Sequence, residues 1–222
     1  MDRKMENYTE KYWKLRLENC KSALENNNFE VFLADNTLAA KDIVMEEILP
    51  RINAKSVSWG DSLTLEATGI LEEIKRHPDI DLIETFAKNM SREDSMGRRR
   101  QALLADLFFT GTNALTDKGQ LVNLDMIGNR VGAIAFGPQN VILFIGRNKI
   151  VSNLEDAMKR VKDYAAPLNA IRHKDMKTPC RETSYCMDCK SPDRICNTWV
   201  ITEKSYPKGR IKVVLINKDI GL

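Results

Sequence analysis

Histidine is nearly absent from this chain: His77 and His173 are the two present in 222 residues. That scarcity argues against a His-rich catalytic metal site and against a Ser-His-Asp triad, since both need histidine. Long apolar runs are missing as well. No stretch approaches the roughly 18 apolar residues of a membrane span, and Met1-Asp2-Arg3-Lys4-Met5-Glu6 lacks the apolar segment of a secretory signal. The expectation is a cytoplasmic protein without a membrane partner. Nor is there a large charge of one sign. The 34 basic residues face 31 acidic ones, and a net charge of +3 does not favour a nucleic-acid partner. Internal repeats and low-complexity linkers are lacking. What is there is an ordinary globular composition, 43% hydrophobic and 29% charged, which excludes disorder as the main state. The length suits one large α/β domain, or one domain with a small appendage.

Short apolar runs alternate with amphipathic stretches. Trp13, Leu17, Cys20 and Leu24 form one stripe of a helix over 8–28, which makes Cys20 a core residue. Phe29–Ala34 reads as a strand. A helix over 37–49 is expected to stop at Pro50. Ser56–Trp59 and Ile80–Glu84 read as strands. Ser91 with Asp94 forms a capping box that opens a helix to about Ala105. Asp106–Thr110 is a strand, and Asp117-Lys118-Gly119 makes a turn between 113–116 and 120–124, a hairpin or a short excursion. Val141–Ile145 has the continuous apolar character of a buried parallel strand. Ser152 with Glu155 forms a second capping box, and Leu154, Met158, Val161 and Ala165 form the buried stripe of a helix that Pro167 breaks. Ile211–Ile216 is the last strand. The alternation implies βαβ units and a largely parallel sheet. Arg98-Arg99-Arg100 reads as a solvated helix face, and both histidines as surface residues.

Cysteine is sparse but clustered. Four of the five fall within 17 residues, as Cys180-x5-Cys186-x2-Cys189-x6-Cys196. The positive charge lies there too: Cys180–Leu222 holds eight Lys/Arg and five Asp/Glu, leaving residues 1–179 neutral. With no export signal, clustered thiols point to metal before disulfides. Four thiolates suit tetrahedral zinc or a cubane. The single C-x2-C pair tilts the reading toward an iron–sulfur cluster, 4Fe-4S favoured, with zinc as the alternative and free thiols or disulfides as the bland one. The organisation expected is an α/β domain over 1–177, a Cys-rich metal-binding insertion over 178–209, and a final strand over 210–222 that returns to the main domain. The insertion shows no clear periodicity, and a metal would give it a reason to be ordered.

Open α/β sheets bind ligands outside the carboxyl ends of their strands. Three polar, glycine-containing segments follow strands here: Trp59-Gly60-Asp61-Ser62-Leu63-Thr64-Leu65-Glu66, Thr110-Gly111-Thr112-Asn113-Ala114, and Asn123-Leu124-Asp125-Met126-Ile127-Gly128-Asn129-Arg130. Gly60, Ser62, Thr64, Gly111, Asn113, Asp125, Asn129 and Arg130 are expected to line one cleft for a small anionic ligand. Gly60 would allow a tight turn and close backbone approach, and the helix it precedes would present N–H groups to an anion. Arg130 would bind a carboxylate or phosphate through both arms of its guanidinium. Asp125 would orient Arg130 or accept from a substrate hydroxyl. The bland alternatives are a helix cap at Ser62 or Asp61 and an ordinary Asp125–Arg130 ion pair.

These segments, with Val141–Ile150, resemble the LUD-domain family of lactate-utilisation proteins in order and spacing across roughly residues 10–175. The tail containing Ser191-Pro192-Asp193-Arg194-Ile195-Cys196-Asn197 resembles a subfamily with a Cys-rich C-terminal extension. The resemblance implies a three-layer α/β/α sandwich with a mainly parallel sheet, similar to the superfamily of CoA transferases, ribose-phosphate isomerases and glucosamine-phosphate deaminases. It implies an accessory redox subunit, working beside a redox-protein partner in oxidising lactate or another small 2-hydroxy acid. CoA transferases of this fold use a glutamate nucleophile, which makes Glu66 a catalytic candidate beside Asp125; the bland reading of Glu66 is a helix glutamate paired with a lysine. Two further functions stay open: a CoA-transferase-like enzyme or binding protein for an anionic ligand, and an interaction module stapled by structural zinc. A homodimer is expected from the commonness of that state.

Overall fold

The computed structural model describes residues 3–87 and 89–222. In chain order these form α1 (Arg3–Asn26), β1 (Glu30–Ala34) and α2 (Thr37–Asp42), which runs through a π-helical turn (Ile43–Ile48) into α3 (Leu49–Ile52). Next come β2 (Ser56–Trp59), α4 (Leu63–Glu66), α5 (Ile70–Arg76), β3 (Asp81–Leu82) and α6 (Arg92–Gln101). There follow β4 (Leu107–Gly111), the hairpin β5 (Ala114–Thr116) and β6 (Leu121–Asp125), α7 (Asn129–Ala135), β7 (Asn140–Gly146) and β8 (Ile150–Val151). The chain ends with α8 (Leu154–Arg160), a π-helical turn (Val161–Ala165), α9 (Ala166–Arg172), α10 (Pro179–Thr183), β9 (Thr198–Thr202) and β10 (Ile211–Ile216).

The main sheet is wholly parallel, in the order β1-β10-β7-β4-β2-β3. Its central strands are apolar throughout because both faces are covered, and the pleat sends alternate residues to opposite cores. On one side Ile142, Phe144, Val214 and Ile216 pack with Val44, Ile48 and Ile74. On the other, Val141, Leu143, Ile145, Val213 and Leu215 meet Leu17, Cys20 and Leu24 of α1. That is a three-layer α/β/α sandwich with a mainly parallel sheet. A smaller sheet, β8-β5-β6-β9, stands beside it, with β5–β6 and β6–β9 antiparallel. The expected hairpin is its centre, and Thr198–Thr202, inside the stretch that lacks sequence periodicity, is its edge.

Several local expectations need correction. Pro50 and Pro167 do not end their helices, since the helical course continues to Ile52 and Arg172. Each proline follows a π-helical turn and sits in the first turn of the next α-helical segment, where its missing N–H removes no standard helical bond. The second cap is Asn153, accepting from the Asp156 amide at 2.9 Å, not Ser152. The buried face of α8 accordingly carries Ala157, while Met158 is 37% exposed. Trp13 is only half buried. The strand over 80–84 shrinks to Asp81–Leu82 at the sheet edge. The capping box at Ser91 forms as expected, with the hydroxyl accepting from the Asp94 amide at 3.0 Å.

Candidate functional site

A cavity of about 750 Å³ opens over the carboxyl ends of β2, β4 and β7, where the smaller sheet, α7 and α9 close around it. Of the residues expected to share a cleft, Ser62, Gly111, Asn113, Asp125, Asn129 and Arg130 line this one. Gly60 and Thr64 do not line it. Thr64 is buried beneath, its hydroxyl 3.4 Å from the Ile220 carbonyl. Glu66 does not join them either: its side chain is exposed and outside the cavity lining.

Both glycines have a packing reason, which at Gly60 is the expected close approach rather than the expected tight turn. Neither Gly60 nor Gly111 has a positive φ. A Cβ on Gly60 would lie 2.9 Å from Thr110 Oγ1 and 3.0 Å from Arg130 Cγ, so glycine makes room for the arginine stem. A Cβ on Gly111 would lie 2.5 Å from Ser62 Oγ and 3.3 Å from the Phe144 carbonyl. Ser62 caps α4 by accepting from the Leu65 amide at 3.3 Å. Because α4 is a single turn, it offers little aligned dipole for an anion, contrary to expectation.

Arg130 is the structural centre. Its Nη1 donates to the Gly111 carbonyl (3.3 Å) and to Asn123 Oδ1 (2.6 Å). Its Nη2 donates to Asn113 Oδ1 (3.0 Å) and the Leu124 carbonyl (3.1 Å). Both arms are thus occupied by neutral oxygens, which corrects the expected bidentate grip on a ligand. Asp125 does not pair with the guanidinium. Its carboxylate accepts instead from the amides of Met126 (3.0 Å), Arg130 (3.1 Å) and Val131 (3.2 Å), fixing the start of α7. Burial lowers the Arg130 pKa, opposed by the fields of Asp125 and Asp61. A guanidinium stays charged even so, and its field reaches the cavity unquenched by a contacting carboxylate.

Sequence reasoning missed Lys149, which lines the cavity while only 4% exposed. Burial pushes its ammonium down to about 7, and Arg160 and Arg130 add to the fall. The one signal was a lysine placed just after β7 and directly before Ile150-Val151, and a single lysine beside Arg147-Asn148 carries no local mark of burial. Arg92, Arg99 and Arg172 also face the cavity. Arg172 pairs with Asp61, and His173 Nε2 stands 3.7 Å from the same carboxylate. Arg99 therefore leaves the solvated run that its sequence suggests, and His173 leaves the plain surface.

The four clustered cysteines line a second cavity, of about 20 Å³, with Lys162 and Arg194. All five cysteines are free thiols. Among the described residues no three His, Cys, Asp or Glu side chains stand close enough to hold a metal ion. The thiols share a cavity without forming a closed ligand shell. Burial pushes the Cys196 thiol up to about 11, against the pull of Lys162. Protein contacts hold the segment in place. Arg194 donates to the carbonyls of Cys196 (2.9 Å) and Cys189 (2.5 Å). Asn197 donates its amide to the Asp125 carbonyl (3.0 Å) and its side chain to the Met126 carbonyl (3.0 Å). Ile195 and Cys196 line both cavities, so the thiol cavity and the cleft share a wall.

Comparison with known proteins bears on this arrangement. The LUD-domain family model matches residues 17–216, and so takes in the cysteine segment. A crystal structure of a DUF162 family protein from Deinococcus radiodurans is similar in fold, with a TM-score of 0.52 at 12% identity, covering 92% of this chain and 97% of that one. A search of curated proteins gives no match. Among the described residues no helix is long and apolar enough to cross a membrane.

Proposed function

Because the chain belongs to the LUD-domain family, we propose that it is an accessory redox subunit in the oxidation of lactate or another small 2-hydroxy acid, binding the acid in the cleft beside a C-terminal metal centre. The observation that carries this reading is the shared wall: Cys196 lines both the cleft and the thiol cavity. In the cleft, Arg130 and Lys149 supply positive field for a carboxylate, and Asp125 keeps α7 in register so that Arg130 stays in place. Cys180, Cys186, Cys189 and Cys196 would hold the metal, in the Cys-rich extension of one subfamily. The donor chemistry fits, since four thiols line one cavity with two cations beside it to offset thiolate charge. An iron–sulfur cluster there would supply one-electron transfer, and a redox-protein partner would take the electrons onward. The fold kinship with CoA transferases belongs to the same reading, but acyl transfer on Glu66 gains nothing from its exposed position.

A second reading has its own observation. A thiol cavity of about 20 Å³ is sized for a single ion, and four thiolates around one zinc would make a structural staple for docking another subunit. Anaerobic purification with iron, sulfide and zinc analysis and a visible spectrum decides between them. Iron and sulfide with a brown chromophore are expected. One zinc per colourless chain establishes the staple, and four freely alkylated thiols with no metal overturn both.

A further inference from the structure

We propose that Lys149 is a nucleophilic amine that captures the carbonyl carbon of a small anionic carbonyl compound, a 2-oxo acid being the simplest, as an imine within the cleft. The inference rests on reading the cleft as a small-acid site, and goes beyond it by naming the reacting atom.

The geometry is unusual for a lysine with only a structural task. Lysines are almost never fully buried unless paired. Lys149 is buried, and its one hydrogen bond runs from Nζ to the Thr112 carbonyl at 3.1 Å. Among the described residues no carboxylate lies within ion-pair distance of it. Its charged neighbours are instead the guanidinium groups of Arg160 and Arg130. These hold their own places through protein oxygens, Arg160 by donating to the Asn113 carbonyl at 2.6 Å and the Asn148 carbonyl at 3.2 Å. From the far side the chain after β10 packs close, since a Cβ on Gly221 would come within 3.2 Å of Nζ. The amine is thus positioned at the strand ends and faces the open cleft.

The chemistry follows from that placement. An amine attacks a carbonyl only through its free lone pair, and dry surroundings beside other cations disfavour the ammonium form. The fall to about 7 agrees with this. Arg130 lines the same cleft, and its field attracts an anionic group, which selects a carbonyl compound carrying one. In the reaction Nζ bonds to the carbonyl carbon, the C=O bond breaks, both amine protons leave on that oxygen as water, and C=N forms. No oxidation state changes, so no oxidant or reductant is needed.

The test uses the full chain with pyruvate and sodium cyanoborohydride, which reduces the imine to a stable secondary amine. Peptide mapping by mass spectrometry is expected to find the carboxyethyl group on Lys149 ahead of every exposed lysine, with acetone, which lacks the anionic group, leaving it largely unmodified. Lys149→Met should lose the dominant mass gain in the intact protein. Modification spread over surface lysines with Lys149 bare overturns the proposal, and needs no variant to fold. Calorimetry separates the two levels of inference. Pyruvate that binds without marking Lys149 sinks the imine alone, whereas no binding at all sinks the cleft reading with it.

Discussion

The cleft and the thiol cavity meet at Ile195 and Cys196, yet charge is handled oppositely on the two sides of that wall. In the cleft, Arg130 and Lys149 are buried and their nitrogens end on neutral oxygens. Around the thiols, Lys162 pairs with the exposed Asp188, and Arg194 lies 3.7 Å from the same carboxylate. Buried cations answered only by dipoles keep their field in a low-dielectric setting. Exposed cation–carboxylate pairs largely cancel and are screened by salt. The cleft is therefore organised around its charges, and the thiol segment around its backbone hydrogen bonds and its strand β9.

The largest effect that tests this contrast is at Arg130. Arg130→Met removes four hydrogen bonds to a charged donor and strands buried carbonyls. Urea denaturation should show a loss of about 3 kcal/mol. Lys162→Met, on the other side of the wall, should leave the denaturation midpoint nearly unchanged. Equal losses at the two positions would erase the distinction.

Lys149 sharpens the contrast through pH. The unfolded chain holds the lysine proton up to its ordinary value of 10.5, whereas the fold sheds it above about 7. Between those limits the unfolded state binds more protons, so stability rises with pH across that window. Lys149→Met should remove up to about 1.4 kcal/mol of that rise per pH unit. It should also leave the protein more stable than the parent below the window. Thermal unfolding from pH 6 to 10 reads both, and parallel curves for parent and variant would refute the assignment.

A smaller effect lies at the packing of the strand ends. Gly111→Ala places a methyl 2.5 Å from Ser62 Oγ and should cost about 1–3 kcal/mol by overpacking. Adding Ser62→Gly should recover part of the loss, because the clash is with that side chain; a strictly additive double variant would show the strain lies elsewhere. The smallest effect is expected at the thiols. In chelator-treated protein, Cys186→Ser should shift stability within about 0.5 kcal/mol, since hydrogen bonds of Arg194 and Asn197 already order the segment. With metal retained the same change should lower the melting temperature markedly. A large loss in the stripped protein would mean that the thiols themselves hold the segment.

The strands of the main sheet were legible because a parallel strand covered on both faces needs an unbroken apolar run, and Val141–Ile145 and Ile211–Ile216 carry one. The polar segments after β2, β4 and β6 were legible as cleft material for a similar reason, since chain leaving a buried strand must turn polar at the sheet rim. The prolines misled because local rules treat proline as a stop, while a π-helical turn one step earlier absorbs it. Thr198–Thr202 escaped notice because an edge strand of a small, half-exposed sheet needs no strong periodicity.

By itself the sequence determined the alternation of helices with strands, the parallel character of the main sheet and the ends of the strands that bound the cleft, because apolar periodicity follows directly from which faces must be dry. Only the tertiary structure decided what the polar residues do there. Arg130 turned inward onto carbonyls contributed by β4, β6 and the turn after β4; Asp125 went to amides instead of the guanidinium; and Lys149 lost its solvent. A charged side chain's role is set by the dielectric around it and by partners far away in the chain. Neither quantity is written in local sequence, so the cleft's shape was readable and its chemistry was not.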